Sequence, residues 1–200
     1  MRCIFCGKEI TKTNLINIFL EEDKLCLDCR KELKLEKKYV DIGQIKVETF
    51  YDYDGIFKTF LLQYKECYDE ALAPIFLYLL KDYISIKYHG YKIVFVPSSK
   101  NKLEERGFNH LEKIFSEIRL KKIDGLRMIQ ETVQEGKTLS QRKFMLNNYE
   151  FLGEKQNKVL IVDDVLTTGS SILGVYNALK PYSNKIKALT LARKENAFIL

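Results

Sequence analysis

Nothing in this sequence marks it for export or for a bilayer. Met1 is followed by Arg2 and Cys3, with no apolar h-region and no small-residue cleavage site, so secretion is not expected. The longest apolar stretch, near Ala71–Ile86, is interrupted by Pro74, Lys81 and Asp82 and is too short to span a membrane. A cytoplasmic location without membrane insertion is therefore expected. Internal repeats and low-complexity tracts are missing. So are the triphosphate-binding GxxxxGK(S/T) and the dinucleotide fingerprint GxGxxG, which removes two common nucleotide-binding readings. Charge is not extreme either: a formal +6 permits an anionic ligand or nucleic acid without singling one out.

What is present describes a folded protein. Two hundred residues, 46% hydrophobic and 30% charged, have the composition of a globular chain and enough length to bury a core without disulfides. Four of the five cysteines form two pairs, Cys3-x-x-Cys6 and Cys26-x-x-Cys29, with nineteen residues between them. That spacing is close to C-x₂-C-x₁₅₋₂₀-C-x₂-C zinc sites. Four thiolates leave no open position on a tetrahedral ion, so structural Zn2+ is expected at Cys3, Cys6, Cys26 and Cys29. An iron–sulfur cluster is the alternative. Cys67 reads as a buried or half-buried thiol.

Residues 31–41 form a charged stretch that ends or links the cysteine module. Ile45–Asp54 mixes β-branched and aromatic residues before a turn at Asp54-Gly55. Phe57, Phe60, Leu61 and Tyr64 follow at helical spacing, and Asp69–Lys87 reads as a second, longer helix. Lys92–Pro97 suits a buried parallel strand, and Phe108, Leu111, Ile114, Phe115 and Ile118 mark another helix. Asp124–Asn148 is polar and reads as a long loop or lid. Lys158–Asp163, Ser170–Leu179 and Lys185–Leu191 then read as strand, helix and strand, the pattern of a parallel sheet flanked by helices.

The chemistry concentrates in Val159–Ser171, VLIVDDVLTTGSS. Val159–Val162 are apolar, as a central strand requires. Asp163 and Asp164 follow at its carboxyl end, where open α/β sheets bind ligands. Adjacent carboxylates repel, and a sugar diol or a metal answers them best. Thr167, Thr168, Gly169, Ser170 and Ser171 supply hydroxyls, a tight turn and a helix start, whose free N–H groups and dipole favour phosphate. One strand–loop–helix thus offers acids for a ribose and donors for its phosphate.

A second loop, Val96–His110, also leaves a strand at its carboxyl end. Ser98, Ser99, Lys100 and Arg106 there are candidates for a pyrophosphate, which needs donors and positive charge. The polar segment carrying Arg127, Gln134, Lys137, Leu139, Arg142 and Asn147 could fold over the ligand and exclude water. His110 reads as a polar residue in the first turns of a helix, with a proton shuttle as the alternative.

In order, these pieces resemble ComF/GntX-type proteins. Those combine a four-cysteine finger, a Tyr–Asp/Glu–Gly turn (here Tyr53-Asp54-Gly55), an LKY-like element (Leu62-Gln63-Tyr64-Lys65), a VP loop with RGFN (Arg106–Asn109), an L-x-x-R segment (Leu139–Arg142) and VDDVxTTG. The chain has VPSS for VPVP, Glu104 and Glu105 before RGFN, and His110 where glutamine is usual. The resemblance implies an α/β fold of type I phosphoribosyltransferase kind, a parallel sheet flanked by helices, over residues 41–200. A small zinc-binding module, residues 1–40, would precede it. It implies 5-phosphoribosyl-1-pyrophosphate with Mg2+ as ligand. Asp163 and Asp164 would take the ribose and Thr167–Ser171 the 5-phosphate. It also implies a role in natural transformation, alongside single-stranded DNA and a helicase-like competence ATPase. Phosphoribosyl transfer and non-catalytic sensing or DNA binding both remain open.

Overall fold

The computed structural model describes residues 2–10, 24–129 and 148–194. Strands β1 (Lys38–Ile42), β2 (Ile45–Asp52), β3 (Lys92–Phe95), β6 (Gln156–Leu166) and β7 (Ser183–Arg193) form one sheet in the order β1-β2-β7-β6-β3. The last four are mutually parallel, and β1 is an antiparallel edge turned back on β2. A small antiparallel pair, β4 (Leu126–Met128) with β5 (Tyr149–Phe151), stands apart from it. Central strands buried on both faces must be apolar throughout, and Val159, Leu160, Ile161 and Val162 are each fully buried.

Helices cover both faces. On one lie α2 (Gly55–Glu66), α3 (Ala73–Leu77), α4 (Lys81–Lys87) and α6 (His110–Ile114), packed on Phe50, Leu160, Val162, Leu189 and Leu191. On the other, α7 (Ser170–Leu179) seats Ile172, Val175 and Leu179 against Val47, Val94, Val159, Ile161 and Ala188, with Phe151 of β5. The expected α2 stripe of Phe57, Phe60, Leu61 and Tyr64 is buried as its periodicity requires. Among the described residues no helix is long and apolar enough to cross a membrane.

The cysteine module packs onto the same core. Cys3, Cys26 and Cys29, the last on helix α1 (Leu27–Glu32), join the cluster that contains Phe57 and Phe60. Phe5 meets Phe60 edge-on at 4.8 Å, and Arg30 Nη1 donates to the Ile75 carbonyl at 3.0 Å.

Several expectations change. Asp69–Lys87 is not one helix: a 3₁₀ turn at Glu70–Leu72 leads into α3, and Tyr78–Leu80 separates α3 from α4. Proline in the first turn of α3 fits a helix start, and Leu77 at the end of α3 and Leu80 at the end of the following turn are both buried in the core. The charged stretch 31–41 contributes residues to β1. Leu126–Met128 is strand, and residues 130–147, including Gln134, Lys137, Leu139, Arg142 and Asn147 of the expected lid, lie outside the described residues. Cys67 is exposed rather than buried.

Candidate functional site

Strand β6 does not stop at Asp163. It runs to Leu166 because β7 continues beside it, pairing Asp163 with Thr190 and Leu166 with Arg193. On its other side β3 gives out earlier: the register ends at Phe95–Val162, with one further bond from Val96 N–H to the Val162 carbonyl at 2.9 Å. Asp163 and Asp164 therefore sit where β6 has lost one neighbour, at the carboxyl end of the sheet. The loop leaving β3, helix α5 (Lys100–Arg106) and the start of α6 wall the gap.

The two acids have different surroundings. Asp164 is buried, and its Oδ2 accepts from Lys65 Nζ at 2.5 Å and from His110 Nε2 at 2.6 Å. Arg106 Nη1 lies 3.1 Å from His110 Nδ1, and Arg106 Nε donates to the Lys65 carbonyl at 3.1 Å. A guanidinium only donates, so Nδ1 must be the acceptor and Nε2 carries the proton given to Asp164. His110 is thus a neutral imidazole. Consistently, burial lowers its pKa, and the cations of Lys65 and Arg106 add to that against the pull of Asp164. Burial alone would raise the Asp164 carboxyl, but the His110 hydrogen bond and the Lys65 charge hold it far below the usual carboxylate range.

Asp163 is half-buried, and its Oδ1 accepts the Asp164 backbone N–H at 2.9 Å. Burial and the neighbouring Asp164 charge push its carboxyl well upward. One acid is thus locked as an anion by its own cations, and the other is held at a cost beside the cavity. Such a pair is answered by a ligand that donates hydrogen bonds or carries cations.

Past β6 the chain turns through Gly169, whose φ of +77 favours glycine. A Cβ there would also lie 2.6 Å from Ile42 Cγ2. This turn opens α7, whose first residues are Ser170 and Ser171 and whose first turn carries no charged side chain. Thr168 Oγ1 lies 2.8 Å from Ser170 Oγ. Ser170 N–H donates to Thr168 Oγ1 at 3.4 Å, and the first turn of α7 thus lies beside hydroxyls with no acidic side chain of its own, where the helix dipole favours an anion.

Ser98, Ser99, Arg106, Asp163, Asp164 and Ser171 of the expected site line one cavity of about 300 Å³. A small adjoining recess, lined by Thr167, Gly169 and again Asp163 and Ser171, continues it along the loop. Lys100 opens α5, and Arg142 lies outside the described residues. Lys65, Glu66, Lys102, Met128 and Tyr149 also line the wall and had no assigned role in the sequence reading. The LKY-like element hinted at Lys65. The role of His110 as the buried link between Arg106 and Asp164 had no sequence signal beyond its place after RGFN.

The cysteine cluster is the second candidate. Four free thiols, Cys3, Cys6, Cys26 and Cys29, place their Sγ atoms within 4.8 Å of one another. Cys6 and Cys26 Sγ are 3.6 Å apart, close to the ~3.8 Å edge of a tetrahedron with metal–sulfur bonds of about 2.3 Å. The donor set fits Zn2+, which it could hold.

Residues 106–197 match the family model for the phosphoribosyl transferase domain. The chain is also 24% identical, over an alignment 225 residues long, to competence protein ComFC of Streptococcus pneumoniae (strain ATCC BAA-255 / R6), covering 96% of this chain and 100% of that protein. The near full-length similarity and the domain match together support a ComF-type, type I phosphoribosyltransferase family. Within that family's domain match fall Arg106, His110, the Asp163-Asp164 pair and the Gly169 turn, whereas Lys65 and the four cysteines precede it. Among solved structures, a hypoxanthine phosphoribosyltransferase from Staphylococcus aureus is similar at TM-score 0.42 and 17% identity, over 66% of this chain and 68% of that one. Adenine phosphoribosyltransferase from Leishmania tarentolae gives TM-score 0.38 and 12% identity, over 81% and 97%. Overlaps this loose do not transfer residue roles, and the family assignment stands on the domain match, the full-length relative and the sheet.

Proposed function

We propose that this ComF-family chain binds 5-phosphoribosyl-1-pyrophosphate with Mg2+ and transfers its phosphoribosyl group. The supporting observation is that Asp163, Asp164, Ser98, Arg106 and Ser171, from two stretches of chain far apart in sequence, line one cavity beside the N-terminus of α7. In this reading Asp163 and Asp164 accept from the ribose hydroxyls, and Thr167–Ser171 hold the 5-phosphate. Ser98, Ser99, Lys100, Arg106 and Arg142 would be the ligands of the pyrophosphate. Lys65 and Lys102, with Arg106, bring positive charge to that wall, beside the acid Glu66.

In the reaction a nucleophile forms a bond to the anomeric carbon as the bond from that carbon to pyrophosphate breaks. Pyrophosphate leaves with the electron pair. The residues act by positioning the sugar and by stabilising the leaving group. Mg2+, a hard cation, would be held by ligand oxygens, with Asp163 as a wall carboxylate in reach, since Asp164 is already engaged by Lys65 and His110. When bound, it neutralises charge on the pyrophosphate. Zn2+ at the four cysteines of a module spanning residues 1–40 is structural in this reading, the phosphoribosyltransferase domain spans 41–200, and the protein works in the cytoplasm.

A second reading, a non-catalytic sensor or single-stranded DNA-binding module, is favoured by one feature. His110 is the one imidazole on the cavity wall among the described residues, and both of its nitrogens are engaged, so it is not free to act as a base. A competence role rests on the name of the pneumococcal relative, whereas single-stranded DNA and a helicase-like ATPase as partners rest only on the resemblance of the sequence motifs. Pyrophosphate release by the purified chain, with Mg2+ and a panel of purine and pyrimidine bases, separates the two. Base-dependent release supports transfer. Binding of phosphoribosyl pyrophosphate without any release overturns transfer and leaves the sensor.

A further inference from the structure

A cleft larger than the cavity at Asp163, of about 620 Å³, lies at the opposite end of the sheet, within the range of small-molecule sites. Strand β7 pairs with β6 from Ser183 onward, but β2 joins β7 only at Ala188. Among the described residues, Ser183–Lys187 therefore have no strand partner on the β2 side. Seven residues of strand separate Ser183 from Thr190, the partner of Asp163, which at ~3.3 Å per residue is roughly 23 Å. The two cavities are independent.

Lys46, Lys87, Lys180 and Lys187 line the cleft with Tyr39 and Tyr176. One carboxylate also lines it, Glu48, and it is spent internally. Glu48 is 1% exposed and accepts from Lys87 Nζ and Tyr83 at 2.6 Å, Tyr88 at 2.5 Å and Tyr39 at 3.0 Å. Lys46 has a long contact with Asp41 at 3.7 Å. Lys180 donates only to the neutral amide of Gln44 at 2.8 Å, and Lys187 stands 5.8 Å from the Tyr88 and Tyr91 ring centroids. Neither has a carboxylate partner among the described residues. Ser183 Oγ, also on the wall, is buried and unpartnered, and a buried hydroxyl without a hydrogen bond calls for one.

We propose that this cleft is a second binding site, for the base and phosphate of a nucleotide. Lys180, Lys187, Ser183 Oγ and the unpaired β7 edge would hold the phosphate, and the exposed face of Tyr39 would stack on the base. Base stacking on tyrosine beside lysines is sequence-tolerant, so the unit is a nucleoside phosphate, either free or as part of a single strand.

The full-length chain, labelled with ¹⁵N, is titrated with uridine 5′-monophosphate, a 5′-phosphorylated oligothymidylate of four residues, and ribose 5-phosphate. The nucleotides should shift the amides of Gln44 and Ser183–Lys187, and ribose 5-phosphate should not. Lys180→Glu/Lys187→Glu should weaken binding about tenfold or more, as two charge-assisted contacts become repulsive. If that variant loses its native spectrum, Lys180→Gln/Lys187→Gln serves, with a shallower salt dependence as readout. Tighter binding of the oligonucleotide identifies a strand as the source, and equal binding a free nucleotide. Asp163→Ala/Asp164→Ala should leave these shifts intact, so the cleft and the phosphoribosyl site fail separately. Shifts confined to Asp163–Ser171, no shifts, or unchanged affinity in a folded charge variant would overturn the proposal.

Discussion

Asp163 and Asp164 are neighbours in sequence and opposites in physics. Asp164 has its folded pKa depressed, so it contributes stability that is present above the unfolded carboxylate range, near 3.9, and is lost as pH falls further. Asp163 has its folded pKa raised, so its contribution is present in acid and is lost as pH rises through the folded value. Replacing Asp163 by asparagine should therefore raise the melting temperature near and above neutrality while abolishing binding of phosphoribosyl pyrophosphate. Melts at several pH values check this: the gain over wild type should shrink toward mildly acidic pH. The reverse holds for His110→Ala. It takes a hydrogen bond from a buried carboxylate and strands Arg106 Nη1, which should cost about 2–3 kcal/mol in denaturant unfolding. A loss below 0.5 kcal/mol would mean the imidazole does not hold Asp164.

At the scale of elements, the loop between β6 and α7 is shaped by packing as much as by its own sequence. Gly169→Ala combines a positive φ with a Cβ 2.6 Å from Ile42 Cγ2, and should cost about 1–2 kcal/mol or more from conformation alone. Because α7 must then shift, ligand affinity should fall in the same variant, which titration measures directly. Much of this element was legible beforehand: α7 has the bounds its sequence indicates, and the acids stand at the ligand end of the sheet. What was not legible depends on neighbours. The end of β6 is set by β7 on one side and by the shorter β3 on the other, and neither register is written in β6 itself. Lys65 lies ninety-nine residues from Asp164, so periodicity could not join them. A single helix over Asp69–Lys87 fitted its apolar residues, but the core takes Leu77 and Leu80 through a turn instead.

Across the whole molecule, the cysteine cluster and the α/β body share one buried cluster, with Phe5 on Phe60 and Arg30 on Ile75. A structural zinc can contribute about 10–16 kcal/mol of apparent binding free energy. Metal analysis should find one zinc per chain. Chelation, or Cys26→Ser, should lower the melting temperature of the entire protein in a single transition rather than release a separate module, as circular dichroism would report. The same shared core explains why four cysteines far from the cavity could affect it: Phe60 sits on α2, which also carries Lys65 to Asp164. The most direct measurement concerns that carboxylate pair. Calorimetric titration of phosphoribosyl pyrophosphate with Mg2+ should give one site per chain in wild type and no measurable binding in Asp163→Ala/Asp164→Ala, with both proteins folded by circular dichroism. Equal affinity in the two proteins, or no binding to wild type, would contradict the assignment of this cavity to the phosphoribosyl ligand.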